Sequence, residues 1–179
     1  MHRHLLLQLL ERYKPSDIQE QEHRLQMISF VQSNPRCFER ELETGHITAS
    51  SWLMNNDGKY ALLMHHAKLD IWIQLGGHCD SESNPLTVAI KEAQEESGIQ
   101  AIVPVSDQIF DIDIHSIPAY KNIPAHDHYD VRFLLRVASN EDYTINHESL
   151  QMKWFSQDVD ALPTDHPSIV RMFNKWCAL

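Results

Sequence analysis

Cysteine is scarce in this chain of 179 residues: Cys37, Cys79 and Cys177 stand far apart, with no CxxC pair. An odd count without paired spacing argues against a disulfide framework and a cysteine-based zinc site, and suits a reducing compartment. Long apolar runs are lacking too. The burst from Leu5 to Leu10 is interrupted by Gln8, is too short to span a bilayer, and is followed by no small-residue cleavage pattern. The expectation is an amphipathic helix of a cytoplasmic protein. Cations are the minority charge, with 15 Lys and Arg against 25 Asp and Glu and a formal net charge of -10. Such a surface repels a phosphate backbone, which argues against nucleic-acid polymers as partners. A small phosphorylated ligand stays compatible if metal ions bring positive charge. No internal repeat or low-complexity segment occurs, and 42% hydrophobic with 22% charged residues is ordinary for one globular domain.

The N-terminal part reads as two helices, over 3–14 and 17–33. The second is opened by Ser16-Asp17, with Gln19 and Glu20 placed for capping contacts, and ended by Asn34-Pro35. From about residue 46 the pattern changes. HITASSWLMN and KYALLMHH flank Asn56-Asp57-Gly58, a hairpin signal, and Ile71 to Leu75 forms a short strand that runs into Gly76-Gly77. QIFDIDIH alternates, with Asp111, Asp113 and His115 on one face and Phe110, Ile112 and Ile114 on the other. HDHYDVRFLLRV sets His126, His128, Asp130 and Arg132 against Tyr129, Val131, Phe133, Leu135 and Val137. A last helix spans about 167–177, with Ile169, Phe173 and Trp176 on one stripe. Strands on both sides of a central helix, with helices at the ends, predict an α/β/α sandwich around a mixed sheet. The division is a helical extension over 1–45 and a main domain over 46–179.

The central helix carries the chemistry. Asn84 suits the N-cap, Pro85 the first turn and Gly98 the left-handed residue after the end. Leu86, Ala89, Ile90 and Ala93 share the predicted core arc, while Glu92, Glu95 and Glu96 share a neighbouring one. Like charges three and four residues apart repel, and they stand where the helix dipole is already negative, with only Lys91 to offset them. A solvated face is the plain alternative. A divalent cation with oxygen ligands reverses the sign of the arrangement, and Gly76 can add a backbone carbonyl.

Gly77, Glu92, Ala93, Glu95, Glu96, Gly98 and Ile99 fall in the register of the box of the Nudix hydrolases, the MutT-type pyrophosphohydrolases, which this stretch resembles. The sequence departs from that box at Ser83, where the family has Glu, and at Lys91, where it has Arg. The resemblance implies a Nudix-type α/β/α sandwich over about 46–179. It also implies Mg²⁺ or Mn²⁺ held by Gly76, Glu92, Glu95 and Glu96, and hydrolysis of a nucleoside diphosphate linked to another group. In the family the missing Glu–Arg pair ties the loop to the helix. Here Gly77, Glu82, Ser83 and Lys91 are left to support that loop, with Glu82 a partial substitute one residue early. Glu148, six residues before Trp154, matches the late-loop glutamate that helps activate water, and joins Glu95 and Glu96 as a catalytic candidate.

The twelve histidines are more than expected, and His78, His115, His126 and His128 fall beside or after the box. With Asp111 and Asp113 they are candidates for a substrate surface or a second metal site, imidazole being a good transition-metal ligand. Two solvent-facing strand surfaces are the alternative. An isopentenyl-diphosphate-isomerase-like enzyme has a related loop beginning Cys-Gly-His, where this chain has Gly76-Gly77-His78 and its Cys79 two positions late. A nucleotide-sensing domain without turnover is the third reading. The N-terminal helices are placed either to pair two copies in a homodimer or to cap the cleft.

Overall fold

The computed structural model describes residues 2–179. Two helices come first, α1 (His4–Arg12) and α2 (Ile18–Ser33), close to the ranges expected. The Asp17 side chain accepts from the Glu20 amide at 2.8 Å, and the Glu20 carboxylate turns back to the Ser16 amide at 2.6 Å. Leu6, Leu9 and Leu10 of α1 and Met27, Phe30 and Val31 of α2 are buried in the same apolar cluster as the sheet. The Phe30 ring stacks on Tyr129 with centroids 3.9 Å apart.

The sheet is built from β1 (Gly45–Met54), β2 (Tyr60–His66), β3 (Trp72–Ile73), β4 (Leu75–His78), β5 (Ile102–Pro104), β6 (Asp111–Ile117), β7 (His126–Val137) and β8 (Ser149–Ser156). The expected hairpin joins β1 to β2, with Gly58 at φ 77° in the turn. β1 runs parallel to β7 over its whole length, and the other pairings are antiparallel, so the sheet is mixed. The single strand expected over 71–75 is in fact two. The chain changes partner at Gln74: β3 pairs with β2, and β4 pairs with β1 and continues through both glycines to His78. Gly76 lies opposite Ser50, where a Cβ would fall 2.2 Å from the Ser50 Cβ, so only glycine permits this approach.

Strand alternation sorts two cores. Ile47, Ala49 and Leu53 of β1, with Val131, Phe133 and Leu135 of β7, face the cluster shared with α1, α2 and α3 (Pro85–Ser97). Trp52, Met54 and Leu134 face the opposite way, onto Ile169, Met172, Phe173 and Trp176 of α4 (Pro167–Cys177). α4 covers only one end of that second face. At the other end His46, Thr48 and Ser50 of β1 and His128 and Asp130 of β7 form a polar floor, two rows of side chains in register across the parallel pair. That uncovered end is where a site can form. No helix of the described residues is long and apolar enough to cross a membrane.

Candidate functional site

The helix that carries the glutamates is built as its caps dictate. Asn84 accepts from the Leu86 amide at 3.2 Å, Pro85 opens the first turn, and Gly98 closes it at φ 76°. Its buried face is Val88, Ala89 and Ala93, while Leu86 and Ile90 are half-buried at its margin. Glu96 belongs to the buried face as well, which the sequence pattern had put outside it.

The three glutamates have different surroundings. Glu96 is 4% exposed, and its Oε2 accepts from the Gly76 amide at 2.8 Å. Burial pushes its carboxyl up to about 8, against the Gly76 hydrogen bond, and the charges of Glu92 and Glu148 push the same way. Glu92 is half-buried and is also pushed up by burial, partly offset by Lys91. It fits against the bare Cα of Gly77, where a Cβ would fall 2.5 Å from Glu92 Oε2. Glu95 is exposed, and Lys91 bridges it (3.2 Å) to Glu92 (3.3 Å). In an antiparallel pair one residue's N–H and C=O point to the same side. Because the Gly76 N–H points to Glu96, its carbonyl faces that side too.

These groups fit a hard divalent cation. Two carboxylates of raised pKa lie against the adjacent glycines of β4, Glu96 at Gly76 and Glu92 at Gly77, and among the described residues no cation pairs with Glu96. Oxygen donors of this kind suit Mg²⁺ or Mn²⁺.

Gly76, Gly77, Glu92 and Glu96 line one wall of a cleft of about 530 Å³. Thr48, Ser50, Gln74 and Asp130 line it as well, together with His78, His115 and His128. Glu148 enters from the segment leading into β8. Asp130 is buried and accepts from Thr48 Oγ1 (3.0 Å), Ser50 Oγ (2.8 Å), Gln74 Nε2 (3.2 Å) and Arg132 Nε (2.7 Å). Glu148 is half-exposed, with its backbone tied to Ala67 at 2.8 Å and its amide to Asn146 Oδ1 at 2.9 Å.

The loop before α3 has a support that the sequence did not reveal. Asp80 and Ser81 both take left-handed φ values, 47° and 73°, uncommon for residues other than glycine. The guanidinium of Arg40 forks onto both oxygens of Asp80, and the Ser81 amide donates to the Phe38 carbonyl at 3.0 Å. Both restraints come from the segment between α2 and β1. Glu82 accepts from the Asn84 amide at 2.8 Å and so supports the helix cap; among the described residues Ser83 makes no side-chain hydrogen bond.

Two expected site residues are withdrawn. Asp111 is fully buried and Asp113 nearly so, and neither lines the cleft. Arg171 of α4 donates to both oxygens of Asp111 at 2.9 Å and to Asp113 at 3.1 Å; Lys175 reaches Asp111 at 2.7 Å, and Arg132 reaches it at 3.0 Å. Burial pushes Asp111 up, but Arg171, Arg132 and Lys175 together hold it below the usual carboxylate range. Asp113 is likewise pushed up by burial and held low by His115, Arg132 and Arg171. The physical reason is that α4 covers this end of the strand face and carries its own cations. Further along β6, His115 and Ile117 emerge into the cleft. His126 stands beside His46 rather than in the cleft lining, with ring centroids 5.0 Å apart.

His46 is the residue that sequence reading missed. It sits at the start of β1 as the register partner of His128, and burial lowers its pKa to about 4, with the nearby His78 and His126 adding to the effect. His78 and His128 are lowered by burial in the same way. Only the pairing of β1 with both β7 and β4 brings these rings together. Cys79 is buried in the apolar cluster, and burial raises its thiol pKa, so it offers no nucleophile to the cleft.

The NUDIX domain family model matches residues 44–176. A protein of Lactococcus lactis subsp. cremoris described as a probable DHNTP pyrophosphohydrolase is 23% identical over 158 residues, covering 87% of this chain and 90% of the relative. The dihydroneopterin triphosphate pyrophosphohydrolase of E. coli superposes with a TM-score of 0.56 at 14% identity, over 74% of this chain and 94% of that one. A MutT protein of Methanosarcina mazei Go1 gives 0.55 at 16% identity, over 75% and 94%. The Ap4A hydrolase of C. elegans gives 0.53 at 18% identity, over 74% and 96%. At these identities the superpositions speak for the fold, and the family model covers most of the chain: it belongs to the Nudix family.

Proposed function

We propose that this protein is a divalent-metal-dependent hydrolase of small diphosphate compounds of the type nucleoside diphosphate linked to a further group. The observation that carries this reading is Glu96, a buried carboxylate with one backbone donor and, among the described residues, no cation, on the wall of a cleft that Glu148 also enters. Glu92, Glu95, Glu96 and the Gly76 carbonyl are the groups to hold Mg²⁺ or Mn²⁺. The ion would neutralise phosphate charge and acidify water. Glu148 takes the proton from the attacking water, whose oxygen bonds to phosphorus as the bridging P–O bond breaks. The departing oxygen leaves with the second phosphorylated product. Lys91 holds Glu92 and Glu95 in place, and Arg40 fixes the loop that precedes them.

The test is a panel of diphosphate compounds assayed with Mg²⁺ and with Mn²⁺. Dihydroneopterin triphosphate and Ap4A belong on it because of what the similar proteins are described as acting on. Turnover that needs added metal, is abolished in Glu96→Gln, and falls by about 10²–10⁴ in kcat in Glu148→Gln supports the assignment. No hydrolysis of any compound with either ion would overturn it, as would allylic isomerisation without phosphate release.

A further inference from the structure

We propose that His46, His78 and His128 form a second metal site, for a first-row transition ion such as Zn²⁺, separate from the glutamates of α3. The three residues lie on neighbouring strands of one sheet face. His46 and His128 are register partners across β1 and β7, and His78 of β4 pairs with Thr48, two residues along the same face from His46. One ring nitrogen from each lies within 4.8 Å of the others. The centroids are 4.8 to 5.1 Å apart, and the rings meet at 46° to 88° rather than stacking. A tetrahedral ion with bonds of about 2.0–2.1 Å needs nitrogens about 3.4 Å apart. Closing the difference of at most about 1.4 Å asks for ring rotation and leaves the strands in place.

A second observation points to a ligand. Both ring nitrogens of His46 and Nε2 of His128 are buried and meet no hydrogen-bond partner among the described residues. His46 is 2% exposed, so water does not compensate it freely. Buried polar atoms are nearly always paired in folded proteins, and an orphaned group calls for an explanation. The Leu42 carbonyl counteracts the lowering of the His46 pKa only weakly, and no bond of normal geometry reaches the ring. An ion bound to one nitrogen of each ring gives a partner to one of the two open His46 nitrogens and draws on donors that the described residues leave open.

The chemistry distinguishes this site from the acidic one. Imidazole nitrogen selects Zn²⁺, Cu²⁺, Ni²⁺ or Fe²⁺, whereas carboxylate and carbonyl oxygen select Mg²⁺ and Mn²⁺. His78 and His128 line the cleft while His46 stands behind them. A three-nitrogen site therefore keeps its open position toward the cleft, where an anionic oxygen of a bound compound can take it.

The experiment uses the untagged full chain, stripped with chelator, loaded with Zn²⁺ or Co²⁺ in excess Mg²⁺, and freed of unbound ions. The expected result is one retained equivalent, the visible absorption of low-coordinate nitrogen-ligated Co²⁺, and shifts of three imidazole ¹⁵N signals in the wild-type protein. His46→Asn combined with His128→Asn should weaken retention by more than about a hundredfold, since losing even an outer-sphere partner of a ligand costs up to that much. Glu92→Gln and Glu96→Gln should retain the equivalent. Absence of a retained ion, or imidazole signals that do not move, overturns the proposal without any variant. Equal retention by the histidine double variant overturns it too. None of these outcomes depends on which diphosphate the protein hydrolyses.

Discussion

Removing the Arg171 guanidinium tests how the charged end of the sheet is held. Glu20, Asp111, Asp113 and Asp130 contribute four carboxylates to a buried cluster that also holds Arg132, Arg171 and Lys175. Arg171 is 11% exposed and donates to Asp111, Asp113 and the Ile112 carbonyl. Arg171→Met keeps the apolar stem and leaves four carboxylates against two cations. Breaking a buried pair by deleting one partner costs about 3–5 kcal/mol. Because Arg132 and Lys175 still reach Asp111, the low end applies, about 3 kcal/mol. For a chain of this size that lowers the melting midpoint by about 6–12 °C, at about 2–4 °C per kcal/mol. Urea unfolding followed by tryptophan fluorescence is the assay, since Trp176 of α4 packs on Trp52 of β1, 5.8 Å between centroids. Adding Asp111→Asn should cost less than the sum of the two single changes. Arg40→Gln is the control: its pair with Asp80 is about half exposed on both sides and is worth at most about 1 kcal/mol. A loss below about 1 kcal/mol in Arg171→Met would refute the reasoning, because it would mean that water already solvates these carboxylates.

The same cluster sets acid sensitivity. Asp111 and Asp113 are held below their ordinary range, so the unfolded chain binds their protons first as pH falls. Their contribution is whole above about pH 4 and is lost as pH drops through the folded-state values, which acid titration of the unfolding free energy should show, with a shallower limb in Arg171→Met. The two glycines should separate stability from ion binding. Gly76→Ala drives a Cβ into Ser50 and the Ala49 carbonyl, backbone that cannot yield, and should cost about 1–3 kcal/mol in urea unfolding. Gly77→Ala meets only the movable end of Glu92, so it should stay within about 1 kcal/mol of the wild type while weakening Mg²⁺ or Mn²⁺ binding in a calorimetric titration. Asn84→Ala removes the cap of α3 and should cost about 1 kcal/mol by the same unfolding assay.

What was legible in the sequence was local. The cap, first turn and stop of α3 are written within fifteen residues, and a cap acts on amides two or three positions away. Strand alternation sorted the faces within β6 and β7 correctly, because side-chain direction has a period of two wherever the strand is paired. Phe110, just before β6, instead packs with the α4 cluster and not with Ile112 and Ile114. Which neighbour covers a face is a different matter. Asp111 and His115 share a face, yet one is sealed under Arg171 and Lys175, some sixty residues later in the chain, and the other opens into the cleft. Glu96 was readable as one of three acidic residues, while its burial against Gly76 required β4 to pass beside α3. The Arg40 fork onto Asp80 and the meeting of His46 with His78 and His128 depend on strand pairing across 30 to 80 residues. By itself the sequence determined the helix ends, the strand faces and the acidic helix, because those follow from backbone geometry within a few residues. Only the tertiary structure decided which charges are buried and which rings converge, because register and covering contacts are set between segments that no local pattern links.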